Sequence, residues 1–266
     1  MPSRDFTLAS DGAVAVLTID RPHAMNALGA RAMQDLETAL DDLEHSDPRV
    51  LVITGAGERA FISGGDLKEL QALRSEEDAA EMARRMRNTL DRLAALPMPV
   101  IAALNGDAYG GGAEVAIACD IRIASAHARF GFTQAKLGIM PAWGGVERLA
   151  ALVGRGRALY LLSTGRVLSA AEAREWGVVE EVAPSGDFAA RWRQLASELA
   201  GVPRDALFGI KATVEAAVPG ARPELAPAAT QRFAGAWVSD DHWRAAAELA
   251  RKRREAKQPI RKAPAG

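Results

Sequence analysis

Cysteine is nearly absent: Cys119 is the only one in 266 residues. No internal disulfide can form, and the apolar neighbours of Cys119 point to a buried thiol. Neither sign of charge is in excess. Against 33 Lys and Arg stand 34 Asp and Glu, a net charge of −1, which offers no global attraction to nucleic acid. The four histidines, His23, His45, His127 and His242, are isolated from one another and from Cys119, so no metal-ligand cluster is expected. No G-x-S-x-G is present, which removes the usual serine hydrolase elbow. The start, MPSRDFTLAS, has no long apolar run and no targeting pattern, so a cytoplasmic location without membrane contact is expected. What is present, 48% hydrophobic and 25% charged residues, describes an ordinary globular chain with material for one large core, or a core plus a smaller lobe.

The remaining chain is organised around NGDAYGGGAEVAIACD, residues 105–120. A short apolar run precedes it, three glycines follow, and then come an acid and an apolar segment, which reads as strand, glycine loop and helix start. Glycines let a ligand approach the main chain, and the first N–H groups of a helix have no internal partner, so the site suits negative charge. Ala113 and Glu114 stand where a P-loop requires Lys and Ser/Thr, and G-x-G-x-x-G is not formed, which disfavours nucleotide phosphate. From this stretch alone, Glu114 reads equally as a first-turn cap and as a functional carboxylate.

In chain order, residues 6–10 and 13–19 flank Asp11-Gly12 and predict a hairpin. A helix is expected over 30–45 with Met33, Leu36, Leu40 and Leu43 in one stripe, then a strand over 50–54. The segment FISGGDLKEL, residues 61–70, repeats the central pattern. Asp66 with Glu69 resembles a capping box, which leaves the N–H of Gly65 as the functional candidate. Two loops each offering an N–H to one carbonyl oxygen would form an oxyanion hole. A helix follows over 76–96, its arginines expected on a solvated face. Further strands are expected over 120–124 and 178–182. Helices are expected over 145–153 and 156–162, and from a capping box at Ser169 to near Gly177. Only helices are expected beyond 187: residues 188–200, 205–217, 223–234 and 240–257. The change of pattern divides the chain into an α/β core, 1–200, and a helical C-terminal lobe, 201–266.

Four separated motifs, Arg21-Pro22 with Asn26-Ala27-Leu28, FISGGDLKEL, NGDAYGGGAEVAIACD and FGFTQAKLGIMPAWGG, resemble in order and register those of the crotonase, or enoyl-CoA hydratase/isomerase, family. The resemblance implies a spiral of β-β-α units with a C-terminal helical lobe used in oligomer contacts, as a homotrimer or dimer of trimers. It implies a lyase acting on an acyl-CoA thioester, with CoA entering as part of the substrate and no separate cofactor. The thioester carbonyl would be held by the N–H groups of Gly65 and Gly111. CoA would lie along Asn26, Ala27 and Leu28 and along Asp66, Leu67 and Lys68. Arg21, Lys68 and the run Arg251 to Arg254 are phosphate candidates set against plain surface charge.

Hydratases of the family use two glutamates; Glu114 matches the first, and Gln134 stands at the second. An amide orients water or substrate but cannot accept and return a proton as a carboxylate does. Decarboxylation of a malonyl-type thioester asks less, because loss of CO₂ generates the enolate directly. The segments GIMPAWGG and YGGGAE are similar to those of family members that decarboxylate ethylmalonyl- or methylmalonyl-CoA. Trp143 is a candidate for the acyl pocket, set against a packing role. The reading from another class is a CoA- or RNA-binding module that kept the fold without the chemistry.

Overall fold

The computed structural model describes residues 4–44, 46–217 and 226–255. The first hairpin pairs β1 (Phe6–Asp11) with β2 (Val14–Ile19), Asp11 opposite Val14. Asp11 thus ends the first strand and the turn is Gly12-Ala13, one residue later than the sequence suggested. Gly12 supplies the left-handed conformation there, φ 58°. After α1 (Ala30–Glu44) come β3 (Val50–Gly55), β4 (Ala60–Ile62), α2 (Leu67–Leu70) and α3 (Glu76–Ala94). The next turn of the chain is β5 (Val100–Leu104), β6 (Asp107–Tyr109) and α4 (Gly111–Ala118). A third is β7 (Ile121–Ser125), β8 (Arg129–Gly131) and a 3₁₀ turn over Gln134–Leu137.

In each round the chain adds one strand to each of two sheets. The larger runs β1-β2-β3-β5-β7-β10, parallel from β2 onward; the smaller runs β4-β6-β8-β9, with β9 at Val167–Ser169. This is the spiral of β-β-α units expected from the resemblance. The last strand, β10, is Glu181–Ala183, shorter and later than the run 178–182, because Val178 and Val179 bond back to Ala173 O at the end of α7 (Ala170–Glu175). The capping box at Ser169 is formed as expected, with Glu172 closing it.

Both faces of the larger sheet are covered, as a parallel sheet requires. Leu51 and Ile53 of β3 join the main core with α1 and α3, while Val50 and Val52 join Phe188, Trp192 and Ala196 of α8 (Phe188–Ala200). The stripe Met33, Leu36, Leu40 and Leu43 is buried. Among the arginines of α3, Arg84 and Arg92 are exposed, as expected, while Arg85 is half-buried and Arg87 buried. Arg85 donates to Glu37, Arg92 to Asp41 and Arg87 to Glu147. They tie the helix to α1 and to α5 (Gly145–Val153), and Arg87 is buried. A charge-rich face that meets other elements becomes an ion-paired seam instead of a solvated surface.

The later helices are α6 (Arg155–Thr164), α9 (Arg204–Ala217), α10 (Ala226–Trp237) and α11 (Asp240–Glu255). The start expected at 223 and the end expected at 257 lie outside the described residues. Phe233, Ala234 and Trp237 of α10 belong to the main core, and the Trp237 indole donates to Leu73 O at 2.9 Å. No described helix is long and apolar enough to cross a membrane.

Candidate active site

Glu114 stands in the first turn of α4, and every residue of that helix is buried. Its carboxylate is only 2% exposed as a residue, yet it has three donors. Oε2 accepts from the N–H of Trp143 at 2.8 Å and of Gly145 at 2.9 Å; Oε1 accepts from Gln134 Nε2 at 3.0 Å. Burial, which penalises the charged form, outweighs these donors and the nearby Arg148, and pushes the carboxyl up to about 7. It therefore holds and releases a proton near neutrality. Glycine at 145 leaves room for this carboxyl, since a Cβ would fall 2.7 Å from Glu114 Oε2 and displace it. Gln134 is buried, and its Oε1 has no partner among the described residues.

The two glycine loops meet beside this carboxyl. Gly64, at φ 108°, is so close to the second loop that a Cβ on it would lie 3.7 Å from Gly111 N and 3.1 Å from Tyr109 O. Gly111 opens α4, and its N–H has no intrahelical partner. Among the hydrogen bonds of the described residues, none is donated by the N–H of Gly65 or of Gly111. Trp143 is buried with its ring against Gly111, where a Cβ would come within 2.2 Å of it. The tryptophan thus serves packing and borders the site at once.

The first loop is held by polar latches. Asn26, at φ 54°, accepts from Arg21 N through Oδ1 and donates through Nδ2 to Ala56 O and Ala60 O. Asn105 also donates to Ala60 O, at 3.1 Å, and accepts from Gly55 N at 2.9 Å. Leu28 N donates to Gly64 O and Asp66 N to Leu28 O, so Ala27-Leu28 runs alongside Gly65 as a short bridge.

Two sequence expectations change here, and a third, surface charge in the C-terminal run, does not. Asp66 caps α2 by accepting from Lys68 N, but Glu69 does not close a box: it accepts from Arg21 Nη2 at 2.7 Å. Arg21, expected at the surface or on a phosphate, is buried and committed to Ala27 O, Asp5, Asp66 and Glu69. In the basic C-terminal run, Arg251 pairs with Glu255 and Lys252 with Glu248 along α11. Lys68 is exposed, and Leu67 is partly buried beside it.

Sequence reasoning missed the Asn26 and Asn105 latches and the place of Arg148 near Glu114. An asparagine shortly after Arg21-Pro22, a residue type tolerant of positive φ, was the available signal for Asn26.

The double-sheet spiral, with two glycine loops meeting at the start of α4, is the architecture of the crotonase class. A family model described as enoyl-CoA hydratase/isomerase matches residues 9–256. The short-chain-enoyl-CoA hydratase of Clostridium acetobutylicum is 38% identical over 200 residues, 75% of this chain and 76% of that protein. A solved enoyl-CoA hydratase from Mycobacterium avium subsp. paratuberculosis K-10 superposes with a TM-score of 0.83 at 29% identity, covering 93% of this chain and 99% of the other. A monofunctional enoyl-CoA isomerase from M. smegmatis gives 0.69 at 32% identity, covering 84% and 97%. The chain belongs to the enoyl-CoA hydratase/isomerase family.

Proposed function

We propose that this enzyme binds an acyl-CoA thioester with its carbonyl oxygen between the N–H groups of Gly65 and Gly111, and that the reaction passes through the enolate so stabilised. The observation that carries the reading is the meeting of two glycine loops, their N–H groups unengaged, beside a buried carboxyl poised near neutrality. One such donor is worth about 2.7–4 kcal/mol at the transition state. CoA lies along Ala27-Leu28 and Asp66-Leu67-Lys68. Asn26 contributes by holding that edge, since its own side chain is engaged.

Glu114 handles the proton and Gln134 fixes its orientation. With an amide at 134, two-carboxylate hydration lacks its second proton carrier. Decarboxylation of a short carboxyacyl-CoA such as ethylmalonyl-CoA is the second reading, and it is favoured by the single ionisable group at this point. The C–C bond to the carboxylate breaks, CO₂ leaves, and its electron pair forms the enolate. Protonated Glu114 then delivers its proton to the α-carbon and is reprotonated from solvent.

The test is a parallel assay of crotonyl-CoA and ethylmalonyl-CoA read by mass spectrometry. Loss of CO₂ from the second substrate supports decarboxylation. Water addition to crotonyl-CoA at an ordinary enzymatic rate, on the order of 1–10³ s⁻¹, would restore hydration despite Gln134. Turnover of neither, with salt-dependent RNA binding, would mark a non-catalytic module.

A further inference from the structure

The turn that grips Glu114 is itself gripped from behind. Arg148, in the first turn of α5, folds back over Gly144, where φ is 90° and a Cβ would fall 2.3 Å from its Nη1. That Nη1 donates to Trp143 O at 3.0 Å, and Nη2 donates to Asp91 Oδ1 of α3. Asp91 Oδ2 lies 3.6 Å from Arg87 Nε, and Arg87 Nη1 donates to Glu147 Oε1 at 2.9 Å. Four charges of alternating sign, two from α3 and two from α5, therefore run behind the Trp143–Gly145 turn. The Arg148 side chain is 11% exposed and that of Arg87 5%.

We propose that Arg148 is a positioning residue for Glu114, acting through the Trp143 carbonyl and anchored by Asp91. Trp143 accepts from Arg148 through its carbonyl while its N–H donates to Glu114, so one residue is held from both sides. The peptide of Gly145 follows one glycine later, and Gly144 has no side chain to keep it in place. Arg148 is the brace that replaces that missing stiffness. Its positive charge also favours the ionised carboxylate, against the effect of burial.

Other charged groups do not substitute for it. Of the elements packed against α4, β4 and β5 carry no ionisable side chain, β6 carries Asp107 and Tyr109, and α3 brings Arg87 and Asp91. Glu147 on α5 is occupied by Arg87. Among all of these, Arg148 is the one whose charge bears on Glu114.

The inference rests on Glu114 as the proton-handling group, so its test avoids turnover. The full chain, labelled with ¹³C at the glutamate carboxyl, is titrated by NMR, and Glu114 is assigned by its disappearance in Glu114→Gln. Arg148→Met is expected to move the Glu114 midpoint upward by roughly half to one pH unit. Amide hydrogen exchange at Trp143 and Gly145 is expected to speed up about tenfold or more while exchange in β3 and β5 is unchanged. Arg148→Lys keeps the charge but not the two-pronged grip. It should restore most of the midpoint while leaving exchange at Gly145 fast, and it serves alone if the methionine variant does not fold. A lower melting temperature with the midpoint and the local exchange both unmoved would reduce Arg148 to a structural ion pair and overturn the proposal. Absence of any acyl-CoA turnover would count against the function proposed above and leave this result standing.

Discussion

At the scale of single residues, the chemistry turns on how a carboxyl is kept both buried and useful. Glu114 has a folded-state pKa of about 7 against an ordinary 4.5. An acid whose pKa is raised by folding contributes stability that is fully present below about 4.5 and is lost as pH rises through about 7. Glu114→Gln removes that loss. The variant is expected to unfold at a higher urea concentration than the parent at pH 8 and to show a flatter stability profile between pH 5 and 8. A parallel profile for the two proteins would mean that Glu114 is ionised at no cost. Glu114→Ala is expected to reduce turnover by about 10²–10⁴-fold while CoA affinity by calorimetry stays nearly intact. Undiminished turnover would remove Glu114 from the mechanism. The pH dependence separates acid from base: if protonated Glu114 supplies the α-proton, kcat for ethylmalonyl-CoA falls above about pH 7, whereas a base would make it rise. The sequence brought Glu114 forward as an acid with only Ala113 between it and three glycines, and the family resemblance gave it a role. It could not reveal the Trp143, Gly145 and Arg148 contacts, because those groups reach Glu114 only once α5 is packed against α4.

Among elements, the glycines divide into those that turn the chain and those that let two elements touch. Gly112 is of the second kind: a Cβ there would fall 1.9 Å from Ile62 O, in the backbone of β4. Neither partner is a flexible side chain, so Gly112→Ala must push α4 away from the smaller sheet and displace the Gly111 amide with it. We expect a loss of about 1–3 kcal/mol or more in chemical denaturation, together with loss of turnover. Gly209→Ala, where nothing lies within 4 Å of the added methyl, should leave turnover unchanged and, inside α9, raise stability by roughly 0.5–1 kcal/mol. Equal effects of the two would show that α4 and β4 can separate freely. The long elements were readable from the sequence: α1 from its apolar stripe, β3 and β5 from β-branched or apolar runs between turn signals. The smaller sheet was not, because β4, β6, β8 and β9 are three residues each. Alternation needs four or more residues to declare itself. These strands exist because Asn26 and Asn105 clip the chain at Ala60 and because each round of the spiral lays the next short strand beside the last.

For the whole molecule, the spiral explains why two loops far apart in sequence converge. Equivalent points of successive rounds are neighbours in a parallel sheet, so the loop after β4 and the loop after β6 leave the same edge side by side. The helices that follow 187 close over this arrangement: Lys211 of α9 bonds Asp120 at 2.7 Å, and His242 of α11 bonds Leu137 O at 2.7 Å, next to the turn carrying Gln134. Part of α9 stays uncovered. Ile210 is 60% exposed and Val214 55%, one helical turn apart and next to Leu207 and Lys211, which are engaged. Exposed apolar side chains this close together are candidates for contact with a partner. In the oligomer reading of the C-terminal helices that partner is another copy of the chain. Light scattering of the full chain is then expected to give the mass of three or six chains. Ile210→Asp with Val214→Asp should lower it toward one chain, while circular dichroism stays that of the parent because neither side chain is part of the core. A parent that runs as a single chain would end the reading, and an unchanged trimer in the double variant would place its contacts elsewhere on the surface.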